Sequence, residues 1–158
     1  MPALTEELRE QIRSYFPKYP NKRAITLPAL HLVHDAQRCV STEAIREIAE
    51  LLELHPSEVH DTMTFYQFFK DEKHPLGRHR VWFCRSIACA LRGGEELLGQ
   101  ICEKYHVHPG ETTKDGKFTL EFAECLGACE GAPCALVDED CHMTLDVNSA
   151  SKIIDELK

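Results

Sequence analysis

The stretches Cys84-Arg85-Ser86-Ile87-Ala88-Cys89 and Cys125-Leu126-Gly127-Ala128-Cys129 allow the fold to be inferred. Each follows a short run typical of a strand and is rich in small residues, so each is predicted to form a loop at a strand end. Four thiols on two such loops make a metal site where the loops meet. Structural zinc sites mostly use C-x2-C pairs, whereas C-x4-C spacing also occurs in plant-type ferredoxins. The spacing therefore favours an iron–sulfur cluster, and electron transfer is the leading functional hypothesis.

The predicted ligands are the four cysteines of these two loops. A [2Fe-2S] cluster needs four thiolates, two for each iron, and loops that let backbone amides approach the sulfurs. Cys84, Cys89, Cys125 and Cys129 are therefore the candidate cluster-binding and metal-binding residues. Gly127 suits this requirement because glycine permits close approach of the backbone. A structural zinc site built from the same four cysteines is the alternative.

The remaining four cysteines are predicted to lie outside the ligand set. Cys39 falls at a helix end, and Cys102 lies on the apolar face of a predicted helix, where a core thiol is expected. Cys134 is near enough to Cys129 in sequence to compete as a ligand, and Cys141 is placed to face Cys134 across a hairpin. Both are interpreted as structural, because either would oversupply a four-ligand set.

The residues around the loops predict an α/β fold. Residues 80–84 and 117–123 alternate as strands, residues 134–137 and 141–145 read as a hairpin, and helices follow Gly94 and begin near Asn148. The order strand–helix–strand–strand–strand–helix predicts a thioredoxin-like domain over residues 77–158.

The first half of the chain reads as helices. Apolar residues recur at helical spacing, Ser41 is a candidate N-cap, and Pro28 and Pro56 fit the first turns of two helices. A polar stretch over residues 70–80 separates this region from the strands and is interpreted as a linker. The predicted organisation is therefore a small N-terminal helical bundle over residues 1–76, followed by the α/β domain.

Composition limits the classes of partner. The chain has 158 residues, 43% of them hydrophobic, and a formal net charge of −8, which argues against nucleic acid or an anionic membrane as a main partner. The acidic N-terminus has no apolar signal region, and no apolar run approaches the roughly 20 residues that span a bilayer. We therefore expect a cytoplasmic protein, in which eight cysteines indicate metal or redox chemistry rather than disulfides.

Two further sequence features bear on function. No G-x-G-x-x-G motif is present, so no site for NAD or flavin is predicted on this chain. The stretch from Phe118 to Ser151 contains acidic residues but no lysine or arginine. Such a stretch either forms a solvated acidic face or steers a basic partner surface.

These residues together resemble a known family. The chain is similar to the thioredoxin-like [2Fe-2S] ferredoxins, in particular to the 24 kDa or E-type subunits of NADH:quinone oxidoreductase (complex I). The resemblance covers nearly the whole chain and rests on these motifs: Cys84-x4-Cys89, Leu91-Arg92-Gly93, Glu124-Cys125-Leu126-Gly127-Ala128-Cys129, Ala132-Pro133 and Thr64-Phe65-Tyr66. Cys134 and Cys141 depart from the family pattern, which commonly has an apolar residue and a tyrosine pair at these places.

The resemblance implies a function. The family's four cluster ligands correspond to Cys84, Cys89, Cys125 and Cys129. A partner subunit of the same complex would bind NADH and FMN, and the [2Fe-2S] cluster here would exchange electrons with that flavin. The chain would thus be a subunit of an NADH dehydrogenase (quinone) with no complete active site of its own, cytoplasmic or held at the inner membrane through its complex.

Three alternatives remain open at this point. The chain resembles equally a diaphorase-type subunit of an NAD-linked hydrogenase or of a formate dehydrogenase. From a different class, it is also consistent with a free-standing redox sensor or a zinc-stabilised interaction module.

Overall fold

The computed structural model describes residues 2–158, whose contacts divide into two compact units, Met1–Pro75 and Leu76–Lys158. No helix within this described range has both the length and the apolar composition needed to span a bilayer.

The first unit contains four α-helices: α1 (Glu6–Arg13), α2 (Thr26–Gln37), α3 (Thr42–Leu52) and α4 (Pro56–Phe65). The predicted N-cap is confirmed, because the hydroxyl of Ser41 accepts a hydrogen bond from the Ala44 N–H. Pro56 occupies the first turn of α4, as its missing N–H favours. The predicted helical bundle is therefore present.

The apolar faces of these helices form one core. Its most deeply buried large side chains are Leu4, Ile12, Ile25, Leu30, Val33, Val40, Ile48 and Leu52. The carboxylate of Glu47 fixes the chain N-terminal to α1, because it accepts hydrogen bonds from the N–H groups of Ala3 and Leu4.

The second unit is built on a four-stranded mixed sheet. Its strands are β1 (His79–Cys84), β2 (Phe118–Ala123), β3 (Ala135–Val137) and β4 (Asp140–His142), in the spatial order β2-β1-β3-β4. Strands β1 and β2 are parallel, whereas β1 with β3 and β3 with β4 are antiparallel.

Helices α5 (Ile87–Leu91), α6 (Gly94–Tyr105) and α7 (Val147–Glu156) complete this unit. A right-handed crossover is the usual connection between parallel strands, and α6 lies in the connection from β1 to β2. The core between the sheet and the helices includes Val81, Phe83, Ile101, Phe118, Leu120 and Ile154.

Two expectations about the cysteine segments are wrong. The sequence predicts Cys89 in a loop, but this residue lies in helix α5, where it is buried. The sequence also predicts that Cys141 faces Cys134 across the hairpin, but the register places Cys141 opposite Leu136. Cys141 is exposed as a result.

Candidate metal centre

The sheet topology brings three cysteine-bearing segments to one edge of the second unit. Cys84 is the last residue of the central strand β1 and lies opposite Ala123, the last residue of β2. Because these strands are parallel, the loop that carries Cys125 leaves the sheet beside Cys84. Strand β3 is antiparallel and begins at this same edge, so the Cys84 N–H donates to the carbonyl oxygen of Cys134, 3.1 Å away.

Three of these thiols form a compact buried group. The sulfur atoms of Cys84, Cys89 and Cys134 lie within 4.8 Å of one another, and all three residues are at most 4% exposed. The Cys89 and Cys134 sulfurs are 3.7 Å apart. Cys134, which sequence reasoning assigned a structural role, therefore lies directly beside two predicted ligands.

Glycine at position 94 allows α5 to pack this closely against the start of α6. A Cβ atom at Gly94 would lie 2.8 Å from the carbonyl oxygen of Cys89. That distance is shorter than real side chains tolerate, so any larger residue would displace the helix turn that carries the Cys89 thiol.

Cys125 and Cys129 lie on the exposed loop after β2, outside the buried sulfur group. Gly127 has a φ of 76°, which glycine adopts without strain, and its N–H donates to the Cys125 sulfur at 3.4 Å. The negative charge of the Cys125 thiolate raises the pKa of Cys129, with smaller contributions from Cys89 and Cys84. The two cysteine pairs are thus within electrostatic reach of each other.

Backbone amides point at the sulfurs of this site. Burial opposes ionisation of Cys84, but its sulfur accepts hydrogen bonds from the N–H groups of Ser86 and Leu126 and its pKa is lowered. The Cys89 sulfur accepts a hydrogen bond from the Cys134 N–H. Such N–H donors are the outer contacts that iron–sulfur clusters use to stabilise negative charge on sulfur. The donor set therefore fits a thiolate-bound cluster.

Burial has the opposite effect on the other two thiols of the group. It raises the pKa of Cys89 and, together with the neighbouring Cys89 sulfur, raises the pKa of Cys134. These thiols keep their protons until a metal cation replaces them, because metal ligation requires the thiolate.

An ion pair at the rim joins the two cysteine segments. The guanidinium group of Arg85, next to Cys84, donates to the carboxylate of Glu124, next to Cys125, and the hydrogen bond from Arg85 lowers the pKa of Glu124. The same guanidinium lies 3.8 Å from the ring centroid of Phe122. The pair is partly exposed, so we assign it a positioning role rather than a large stabilising one.

The acidic stretch noted in the sequence is partly neutralised by residues of β1 and the segment after it. Glu121 pairs with Arg80, and Asp138 pairs with His79 through a contact of 2.7 Å. With Glu124 paired to Arg85, three of its carboxylates have basic partners. A purely solvated acidic face is therefore not what the fold forms here.

Exposed apolar side chains surround the cysteines. Ile87 and Leu91 of α5 are 76% and 81% exposed, and Phe122 and Met143 are also exposed. Met143 packs against Gly131, two residues beyond Cys129. Large apolar side chains concentrated around a site mark a surface that another molecule covers.

The other two cysteines contribute nothing to this edge of the sheet. Cys102 is half-buried against the core of the second unit, as predicted, and burial raises its pKa. Cys39 belongs to the first unit and is half-buried, and burial raises its pKa as well.

Residues 12–158 match the sequence profile of the thioredoxin-like [2Fe-2S] ferredoxin family. The chain belongs to this family. The predicted family and the predicted thioredoxin-like fold with N-terminal helices are thereby confirmed.

Relatives of this [2Fe-2S] ferredoxin carry names that agree with the resemblance. It is 34% identical over 151 residues to the E-type subunit numbered 2 of the NADH-quinone oxidoreductase of Rhizobium meliloti (strain 1021), covering 96% of this chain and 89% of that protein. It is also 34% identical to the E-type subunit of the NADH-quinone oxidoreductase of Escherichia coli (strain K12), covering 95% and 89%.

A solved structure of NAD+-reducing [NiFe]-hydrogenase in the H2-reduced state is similar over part of its length. The TM-score is 0.71 at 26% sequence identity, over 84% of this chain. The ferredoxin spans only 22% of that hydrogenase chain.

Proposed function

We propose that this ferredoxin is an electron-transfer subunit of an NADH:quinone oxidoreductase and that Cys84, Cys89, Cys125 and Cys129 hold its single [2Fe-2S] cluster. The observation that carries the proposal is the meeting of the two cysteine segments at one edge of the sheet, with amide N–H groups directed at the sulfurs. When bound, the cluster supplies one-electron transfer. The relatives that are subunits of NADH-quinone oxidoreductase support the choice of complex.

The chain's own residues have three tasks in this proposal. The buried thiols of Cys84 and Cys89 anchor one side of the site away from water, whereas Cys125 and Cys129 close it from the exposed loop. The amides of Ser86, Leu126 and Gly127 stabilise negative charge on the sulfurs. The Arg85–Glu124 pair ties the two ligand segments together.

The proposed partner is the subunit that binds NADH and FMN. Because the exposed loop carries two ligands, a docked partner would approach the cluster directly. The exposed Ile87, Leu91, Phe122 and Met143 provide apolar contact area around that loop. In the first unit, Phe65 at the end of α4 is 78% exposed and is a further candidate contact for the same partner.

The protein would then act in the cytoplasm, at the inner membrane only through its complex. A second candidate is a diaphorase-type subunit of an NAD-linked hydrogenase, which the similarity to the NAD+-reducing [NiFe]-hydrogenase structure favours. The partner decides between these two assignments, because the cluster site is the same in each.

The ligand assignment is tested with serine variants of the full chain, reconstituted anaerobically with iron and sulfide. Cys125→Ser should lose or alter the visible spectrum of the cluster, because the hydroxyl is a poor substitute for a thiolate. Cys141→Ser is the matched control, since Cys141 is also an exposed cysteine of the same unit. A normal spectrum in Cys125→Ser, or a lost spectrum in Cys141→Ser, would contradict the assignment.

The partner assignment is tested by affinity purification of the tagged full-length chain from its native cells. We expect a subunit that contains FMN and oxidises NADH to co-purify, and its complex to contain either quinone-reductase or hydrogenase subunits. Recovery of the cluster-loaded chain without any flavoprotein would contradict this part of the proposal.

A further inference from the structure

The buried sulfur group contains a cysteine that the proposed cluster does not use. Cys134 contributes the third sulfur, 3.7 Å from that of Cys89, whereas Cys125 and Cys129 lie outside the group. The arrangement of Cys84, Cys89 and Cys134 therefore differs from the ligand set of the cluster, and it requires a separate explanation.

The spacing of the three sulfurs matches the size of a single thiophilic metal ion. Zinc lies about 2.3 Å from a thiolate sulfur, so two sulfurs in a tetrahedral zinc site are about 3.8 Å apart. The Cys89–Cys134 distance is 3.7 Å, and all three sulfurs lie within 4.8 Å of one another. Small side-chain movements would bring the group to zinc geometry.

Regular secondary structure holds the group in place. Cys84 ends β1, and its N–H is hydrogen-bonded to the carbonyl oxygen of Cys134. Cys89 lies in α5, which packs against Gly94. By contrast, Cys125 and Cys129 lie on the exposed segment after β2 and would have to move inward to join a single ion. The buried group is therefore the better prepared site for one ion.

We propose that, in the cluster-free protein, Cys84, Cys89 and Cys134 bind one Zn²⁺ ion through three thiolates. The thiol protons are released to solvent on binding, and the fourth coordination position is left to an exchangeable ligand. The N–H groups of Ser86 and Leu126 offset negative charge on the Cys84 sulfur.

The proposal has a consequence for cluster loading. The zinc site and the proposed cluster share Cys84 and Cys89, so they exclude each other. Zinc bound in the buried group would therefore block cluster assembly until it is removed. Cys134 would be the residue that confers this competition, because it serves the zinc ion but not the cluster.

The test uses the reduced, metal-free full chain under anaerobic conditions. Co²⁺ binding is followed by its thiolate charge-transfer absorption, and Zn²⁺ affinity is measured by displacement of Co²⁺ and by competition with a chelator. Cys134→Ala should weaken Zn²⁺ binding by about 100-fold or more, since it removes one of three thiolates. Cys141→Ala is the control and should change the affinity by less than about threefold, because Cys141 is exposed and opposite Leu136.

A double variant separates the proposed site from a zinc site at the four cluster cysteines. Cys125→Ala with Cys129→Ala should keep Zn²⁺ binding within about tenfold of the unaltered chain, although it cannot take up the cluster. Loss of Zn²⁺ binding in this double variant would overturn the proposal, and so would unchanged binding in Cys134→Ala.

Alkylation of the unaltered protein gives a measurement that no folding defect can confuse. With one equivalent of Zn²⁺ bound, Cys125 and Cys129 should react with iodoacetamide as they do without metal, and the zinc should stay bound. Protection of these two cysteines by zinc would overturn the proposal.

Cluster reconstitution after addition of Zn²⁺ tests the competition itself. One equivalent should suppress the cluster spectrum in the unaltered chain and have little effect in Cys134→Ala, whereas equal suppression in both would contradict the role of Cys134. If neither protein takes up a cluster even without zinc, the proposed electron-transfer function fails, while the zinc affinities still decide the inference.

Discussion

The clearest structural prediction concerns two glycines of the same helix, Gly94 and Gly99. Gly94 is buried at the first position of α6, and an added Cβ would lie 2.8 Å from the Cys89 carbonyl oxygen and 3.1 Å from its carbonyl carbon. Gly99 is exposed in the middle of α6, and an added Cβ would meet nothing within 4 Å. The two alanine substitutions should therefore have opposite effects.

The magnitudes follow from these distances. Gly94→Ala must separate α5 from α6 by roughly half an ångström, and overpacking of this kind costs about 1–3 kcal/mol. Gly99→Ala gains about 0.5–1 kcal/mol, because alanine loses less backbone entropy in a helix than glycine does. The two variants should differ by roughly 2–3 kcal/mol in free energy of unfolding.

Urea denaturation of the reduced, cluster-free protein measures this difference directly. In thermal melts the difference corresponds to a gap in Tm of about 2–4 °C for each kcal/mol. Gly94→Ala should in addition slow cluster incorporation, because it moves the turn that carries Cys89, whereas Gly99→Ala should not. Equal stability of the two variants, or a more stable Gly94→Ala, would refute the packing described for α5 and α6.

Three further predictions test the two units. Burial and the hydrogen bond to Asp155 raise the pKa of Tyr105 to about 12, above its ordinary value of 10.0, so stability is complete below pH 10 and falls between about pH 10 and 12; urea midpoints should show this loss in the unaltered chain and less of it in Tyr105→Phe. Burial opposes ionisation of Glu47, but hydrogen bonds from Ala3 and Leu4 and the nearby Arg9 lower its pKa, so its contribution is present above pH 4.5 and is lost as the pH falls further; Glu47→Gln should flatten that acid limb, and an unchanged limb would contradict the assignment. Ile48 is fully buried, so Ile48→Ala should cost about 3 kcal/mol in urea unfolding, whereas a loss below about 1 kcal/mol would contradict the core of the first unit.

Features with strong local signals were predictable from the sequence. The N-cap at Ser41 and the start of α4 at Pro56 follow from residue chemistry within one turn. Strands β1 and β2 were predictable because their apolar residues alternate, and the cysteine segments follow directly from their ends.

Features that depend on tertiary neighbours were not predictable. Helix α5 is only five residues long, with Ile87 and Leu91 exposed, so its sequence shows no buried helical face. The position of Cys134 depends on the antiparallel pairing of β3 with β1, which no local pattern specifies. The ion pairs of Glu121 and Asp138 likewise depend on the register with β1.

The most direct test of the central claim is electron paramagnetic resonance of the anaerobically reconstituted, dithionite-reduced protein, together with iron and sulfide analysis. The proposed cluster predicts a single [2Fe-2S] signal that integrates to about one spin for every two irons. A folded chain that takes up no iron and gives no such signal would contradict the claim that these cysteines hold a cluster.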